Sequence, residues 1–190
     1  RLNMDVPQMW GLRQLLVADI KRQRELFGII SPLKGFKLWL SMLSPRFAPV
    51  LLCRLAHRSH LMGIGVLAKF FSLVNFLVFG IEIAVACRIG PGLFFPHTHG
   101  TVIGAVSIGK NAVIYQGVTL GAKDLDFTYD AAHRPIIGDD VLVGSGAKVL
   151  GGIRLGNHVT VAANAVLLHS VGDDVVVGGI PAKILKVRNV

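Results

Sequence analysis

The residues best suited to chemistry lie in Pro96-His97-Thr98-His99-Gly100, where two histidines sit in a stretch broken by proline and glycine. A neutral imidazole poised near pH 7 can take a proton from a hydroxyl, and a carboxylate beside it can fix its tautomer. Glu82 is the candidate carboxylate, because it precedes His97 by nearly one full turn of the repeat described below. His97 is thus the candidate general base, while His99 either helps bind the acceptor or caps the turn. His57, His60, His158 and His169 have no such setting and are expected at the surface. A second polar cluster, Lys123, Asp124, Asp126, Asp130, His133 and Arg134, interrupts an otherwise regular sequence. Regular scaffolds tend to carry function at such interruptions.

The scaffold declares itself by its period. Apolar residues recur every sixth position in three runs: Ile83, Ile89, Phe95; Val102, Ile108, Ile114, Leu120; and Ile137, Val143, Val149, Leu155, Val161, Leu167. Small or β-branched residues follow four positions later, as at Ala112, Val118, Val141, Ala147, Val159 and Ala165. Neither a helix nor an isolated strand has this period, but the sides of a triangular coil do. The reading is a mainly β chain. A left-handed parallel β-helix of about five coils occupies residues 81–190. One residue is extruded between Phe95 and Val102, and a loop projects at 121–136.

Residues 1–80 are expected to be helical, basic and apolar. Asp5 and Pro7 are placed to open a first helix that ends before Gly28, and Ser44-Pro45 to open another. In that second helix Arg54 and Arg58 fall four apart on one face. Residues 61–81 are the most apolar stretch, relieved by a stripe of Lys69, Ser72 and Asn75. Burying Lys69 at a bilayer centre would cost about 2.5–3.5 kcal/mol, so a buried helix or one lying at a membrane interface is preferred to a spanning one.

The net charge is +9. Residues 1–90 carry 12 Lys/Arg against 4 Asp/Glu, which is +8, and leave +1 for the rest. That asymmetry suits an anionic surface. No zinc-ligand pattern, RNA-binding signature or basic heptad accompanies it, so nucleic acid is not an expected partner. Cys53 and Cys87 lie among apolar residues with neither metal nor redox spacing and read as buried free thiols. No signal-peptide layout opens the chain, although it begins at Arg1 rather than Met. The expected location is cytoplasmic, with peripheral association at the inner face of the membrane.

Several of these segments resemble the serine acetyltransferase branch of the hexapeptide-repeat acyltransferases. They are Ile89-Gly90-Pro91-Gly92-Leu93 leading to His97 and Gly100, Val102-Ile103-Gly104, Ile114-Tyr115-Gln116-Gly117-Val118-Thr119-Leu120-Gly121, and Gly178-Gly179-Ile180-Pro181-Ala182-Lys183. The likeness covers residues 80–186 and, more loosely, Arg54-Leu55-Ala56-His57. It implies acetyl-CoA as co-substrate, His97 as catalytic histidine, and Glu82 in place of the aspartate that pairs with it. It further implies a pantetheine groove lined by Ser145, Gly146, Ala162 and Ala163, with Lys183 meeting the CoA phosphates. Backbone amides near Gly117 and Gly121 are candidate oxyanion donors. A homotrimer is implied too, with His97 of one copy facing His133 or Arg134 of the next.

Three departures from that branch shape the substrate expectation. The aspartate before the catalytic histidine is Pro96, the Arg-His-Pro triplet that helps hold serine is His133-Arg134-Pro135, and residues 122–132 form a longer insertion. A bound amino acid needs partners for both its charges, and the lost carboxylate removes one. The expected reaction is therefore O-acetylation of a sugar or glycan hydroxyl in capsule or exopolysaccharide synthesis. Serine O-acetylation in cysteine synthesis is the alternative, and a non-catalytic membrane-docking scaffold a lesser one. A zinc site of His97, His99 and His133, as in γ-class carbonic anhydrases, lacks the second close histidine pair that those proteins carry, so no metal is expected.

Overall fold

The computed structural model describes residues 10–29, 40–42 and 44–188. The helices that lie wholly within the described residues come first: α1 Leu12–Leu26, α2 Ala48–Leu61 and α3 Gly65–Phe79. Asp5 and Pro7 lie outside the described residues. α2 starts later than Ser44-Pro45 suggested: residues 44–47 form a turn in which Ser44 O accepts from the amides of Phe47 and Ala48. It is Pro49 that occupies the first helical turn. α3 ends at Gly80, whose left-handed φ of 61° turns the chain into the first strand. Among the described residues no helix is long and apolar enough to cross a membrane.

From Ile81 the chain winds into a left-handed β-helix. The first face stacks β1 Ile81–Ile83, β3 Thr101–Ile103, β6 Thr119–Gly121, β9 Lys148–Leu150 and β12 Val166–Leu167. The second stacks β2 Arg88–Ile89, β4 Ser107–Ile108, β7 Ile136–Ile137 and β10 Arg154–Leu155. The third stacks β5 Val113–Ile114, β8 Leu142–Val143, β11 Thr160–Val161 and β13 Val175–Gly179. Bridges at Phe94 and Val171 complete the first and last coils, giving the expected five. β14 Ala182–Val187 folds back antiparallel on β13.

The sixth-residue positions fill the core, with Ile114, Leu120, Val143, Val149, Val161 and Leu167 all nearly inaccessible. Val102 is the exception. It is 38% exposed, and Ile103 takes the inward place, pairing with Ile83 above and Leu120 below. The 96–100 corner therefore extrudes two residues rather than one. Gly100, at φ 73°, makes the turn that this requires.

The helical module is fastened to the first coil by a buried ion pair. Arg54 Nε and Nη2 donate to Asp19 Oδ2 and Oδ1 at 2.9 Å, and its Nη1 and Nη2 donate to the carbonyls of Ile89 and Gly90. Asp19 Oδ1 also accepts from the amides of Gly92 and Leu93. Arg54 is thus buried, whereas Arg58, one turn further along the same helix, is exposed. His57 is half-buried rather than superficial; its Nδ1 contacts Val85 O at 2.7 Å, and burial pushes its pKa down.

Candidate active site

The corner between the third and first faces gathers most of the predicted site residues. Four turns stack there, at 96–100, 115–118, 144–147 and 162–165. Gly117 N donates to His99 O, Gly146 N to Gln116 O, and Asn164 N to Ser145 O, at 3.0, 2.9 and 2.8 Å. His99, Gln116 and Ser145 therefore form one column, with His97 in the bulge at its head and Ala162 and Ala163 at its foot. Neighbouring coils lie about 4.8 Å apart, so the edge runs roughly 19 Å from the histidines to the level of Gly178. Lys183 pairs with Gly178 and is exposed. Below the histidines few side chains stand out from this edge. Gly146 has a left-handed φ of 71°, which favours glycine, and a Cβ there would also push on Asn164 Oδ1.

The head of the edge is tied to the helices. Thr98 Oγ1 donates to Phe79 O at 2.7 Å and Gly100 N to Gly80 O at 2.9 Å. A Cβ on Gly80 would stand 3.1 Å from the His99 ring, so His99 packs on the helix terminus. His97 is exposed and free of such packing. Glu82 is also exposed, on the outward row of the first face in register with Val102. Among the described residues no hydrogen bond or ion pair joins Glu82 to His97 within the single chain.

Neither predicted oxyanion donor is free for that role. Gly121 is buried at the far side of the first face, where its carbonyl accepts from Gly151 N, so it does not line the edge. The amide of Gly117 is already bonded to His99 O, which leaves it no capacity as an oxyanion donor.

The projecting loop leaves the opposite edge, between β6 and β7, so one chain's His133 and Arg134 do not meet its own His97. Arg134 is committed inside the loop: Nε donates to Asp126 Oδ2 at 2.7 Å, Nη1 to Gly104 O and Nη2 to Asp126 O. Its guanidinium also stacks on Tyr129, whose hydroxyl donates to Ala105 O. Burial acts to raise the Asp126 carboxyl, but bonds from Asp130, Thr128 and Arg134 outweigh it and hold the group at about 2. His133 remains exposed beside this anchor. No group of three or more His, Cys, Asp or Glu among the described residues is arranged to hold a metal ion.

Sequence reasoning missed Gln116. Its Oε1 is buried without a partner in the column directly beneath His99. The available signal was a long polar side chain in a turn whose counterparts are Ser145 and Ala163.

Residues 134–169 match the family described as bacterial transferase hexapeptide (six repeats). The serine acetyltransferase of Synechococcus elongatus is 37% identical over 142 residues, covering 74% of this chain and 57% of that protein. The chain thus spans under two thirds of that curated relative. The solved serine acetyltransferase of Neisseria gonorrhoeae in complex with serine is 32% identical with a TM-score of 0.76, over 92% of this chain and 69% of that one. A serine acetyltransferase solved in complex with CoA is 26% identical with a TM-score of 0.77, over 92% and 69%. These relatives overturn the expectation of a sugar or glycan acceptor in polysaccharide synthesis, because the matched proteins acetylate serine by name. The chain belongs to the bacterial hexapeptide-repeat transferases, on their serine acetyltransferase branch.

Proposed function

We propose that this protein transfers the acetyl group of acetyl-CoA to the hydroxyl of L-serine. The observation that carries the reading is the corner itself: an exposed, unencumbered His97 heads a straight edge of small residues in a chain whose relatives are serine acetyltransferases. His97 takes the proton from the serine hydroxyl as that oxygen attacks the thioester carbonyl. The imidazolium then returns the proton to the departing thiolate. Glu82 orients the ring and offsets its charge, by a carboxylate movement or from a neighbouring copy.

The edge fits a pantetheine arm because Ser145, Gly146, Ala162 and Ala163 project little beyond Cβ. Lys183 meets the phosphates as a point charge at the far end. Gln116, beneath His99 in the column, turns its amide oxygen outward to accept from the ammonium of serine, in place of the carboxylate replaced by Pro96. With Arg134 committed to the loop, His133 from a neighbouring copy is the group left to face the serine carboxylate. Assembly as a homotrimer brings the two edges together.

The test is thiol release from acetyl-CoA by the full chain, with L-serine, D-serine and other hydroxyl compounds as acceptors. Release dependent on L-serine is expected. Failure with L-serine alone refutes the acceptor, and failure with every acceptor refutes the transferase reading.

A further inference from the structure

Helix α3 is built inside out. The stripe it turns toward α2 holds Ala68 and Asn75, both buried, with Ser72 half-buried between them. Asn75 Nδ2 donates to Pro49 O at 3.0 Å. Its polar residues other than Lys69 are thus on the inside. Facing outward at i, i+4, i+7 and i+11 stand Val66, Phe70, Leu73 and Leu77, exposed by 84, 55, 54 and 69%. Phe76 and Val78 flank them, and Leu61, Met62 and Ile64 extend the patch through the turn from α2. A helix facing water shows the opposite distribution, and a contiguous apolar surface of this kind marks an interaction site.

The charge around it has one sign. Between Glu25 and Glu82 the sequence contains no acidic residue, but it contains Lys34, Lys37, Arg46, Arg54, Arg58 and Lys69. Of these Arg46, Arg58 and Lys69 are exposed in the structure, and Arg54 is buried in its pair with Asp19. Two copies meeting through this face would bring Arg58 and Lys69 of each together, with no acidic residue on α2 or α3 to offset them. Anionic headgroups supply the missing countercharge. At about 1.5 Å per residue, α3 is roughly 22 Å long, shorter than a hydrocarbon core of about 30 Å. It suits lying in the interface, apolar face down.

We propose that the Val66–Phe70–Leu73–Leu77 face of α3 is a docking surface for an anionic lipid membrane, with Lys69 and Arg58 at its rim. The reading is independent of the acyl acceptor. The full chain would be sedimented with vesicles of phosphatidylcholine alone and of phosphatidylcholine with phosphatidylglycerol, at low and high salt. Binding about tenfold or more stronger to the anionic vesicles, weakened by salt, is expected. Val66→Glu with Leu77→Glu should abolish it, and Lys69→Glu should weaken it, each leaving thiol release unchanged. Circular dichroism confirms that the variants fold; Val66, the most exposed position, is the safeguard against misfolding. Equal failure to bind both vesicle types overturns the proposal, as does anionic binding that survives the double substitution. A wild-type oligomer that ignores vesicles but dissociates in the double variant would assign the face to another copy of the chain instead.

Discussion

Arg54→Ala removes the guanidinium that fastens the helices to the first coil. The variant loses two bonds to Asp19 and two to the carbonyls of Ile89 and Gly90. It also leaves the Asp19 carboxylate, at 0% exposure, with only the Gly92 and Leu93 amides. An uncompensated buried charge of this kind costs about 3–5 kcal/mol. For a chain of this size each kcal/mol lowers Tm by roughly 2–4 °C, so a fall on the order of 6–20 °C is expected. Thermal unfolding followed by far-ultraviolet circular dichroism measures it. The pairing of the two charges has a second consequence. Asp19→Leu with Arg54→Met removes both charges, and the double variant should be more stable than the sum of the single losses implies. A Tm within about 2 °C of wild type for Arg54→Ala, or strict additivity in the double variant, would refute the reasoning.

His97→Ala should lower the turnover rate by about two to four orders of magnitude with little change in acetyl-CoA affinity; His99→Ala should act mainly through stability, since that ring packs on Gly80. Thiol release under saturating co-substrate separates the two. The loop should loosen in acid. The Asp126 carboxyl is held at about 2 against an ordinary value of about 3.9, so its support is complete above the ordinary value and lost as pH falls through about 2. Hydrogen exchange of the 126–134 amides should rise over that window, and Asp126→Asn should show the faster exchange already at neutral pH. Burial pushes the Cys53 thiol up to about 11 and Cys87 higher still. Neither should react with an aromatic disulfide reagent until the protein unfolds, and stoichiometric labelling of the native protein would contradict this.

The sixfold period and the Gly-flanked histidine pair were decisive in the amino-acid sequence alone. Stacked coils repeat one local environment, so each inward position must satisfy the same apolar demand, and Ile114, Val143 and Leu167 show it without any knowledge of their neighbours. Where that repetition fails, the sequence is ambiguous. Val102 and Ile103 are equally apolar, and only pairing with Ile83 and Leu120 selects Ile103 for the interior. The long-range partners were equally hidden. Arg54 and Arg58 look alike in the chain, yet Asp19 and the carbonyls of the first coil draw one of them inside. Arg134 resembled a substrate ligand until the loop folded Asp126 and Tyr129 around it. The three-residue spacing of Lys69, Ser72 and Asn75 marked a polar stripe on α3, but not that Ser72 and Asn75 turn inward while Lys69 stays exposed. That was decided by α2, whose Pro49 carbonyl gives Asn75 a partner only on the inside. A periodic pattern fixes which residues share a face. Which face is buried depends on complementary groups distant in sequence, and these are brought together only by the tertiary fold.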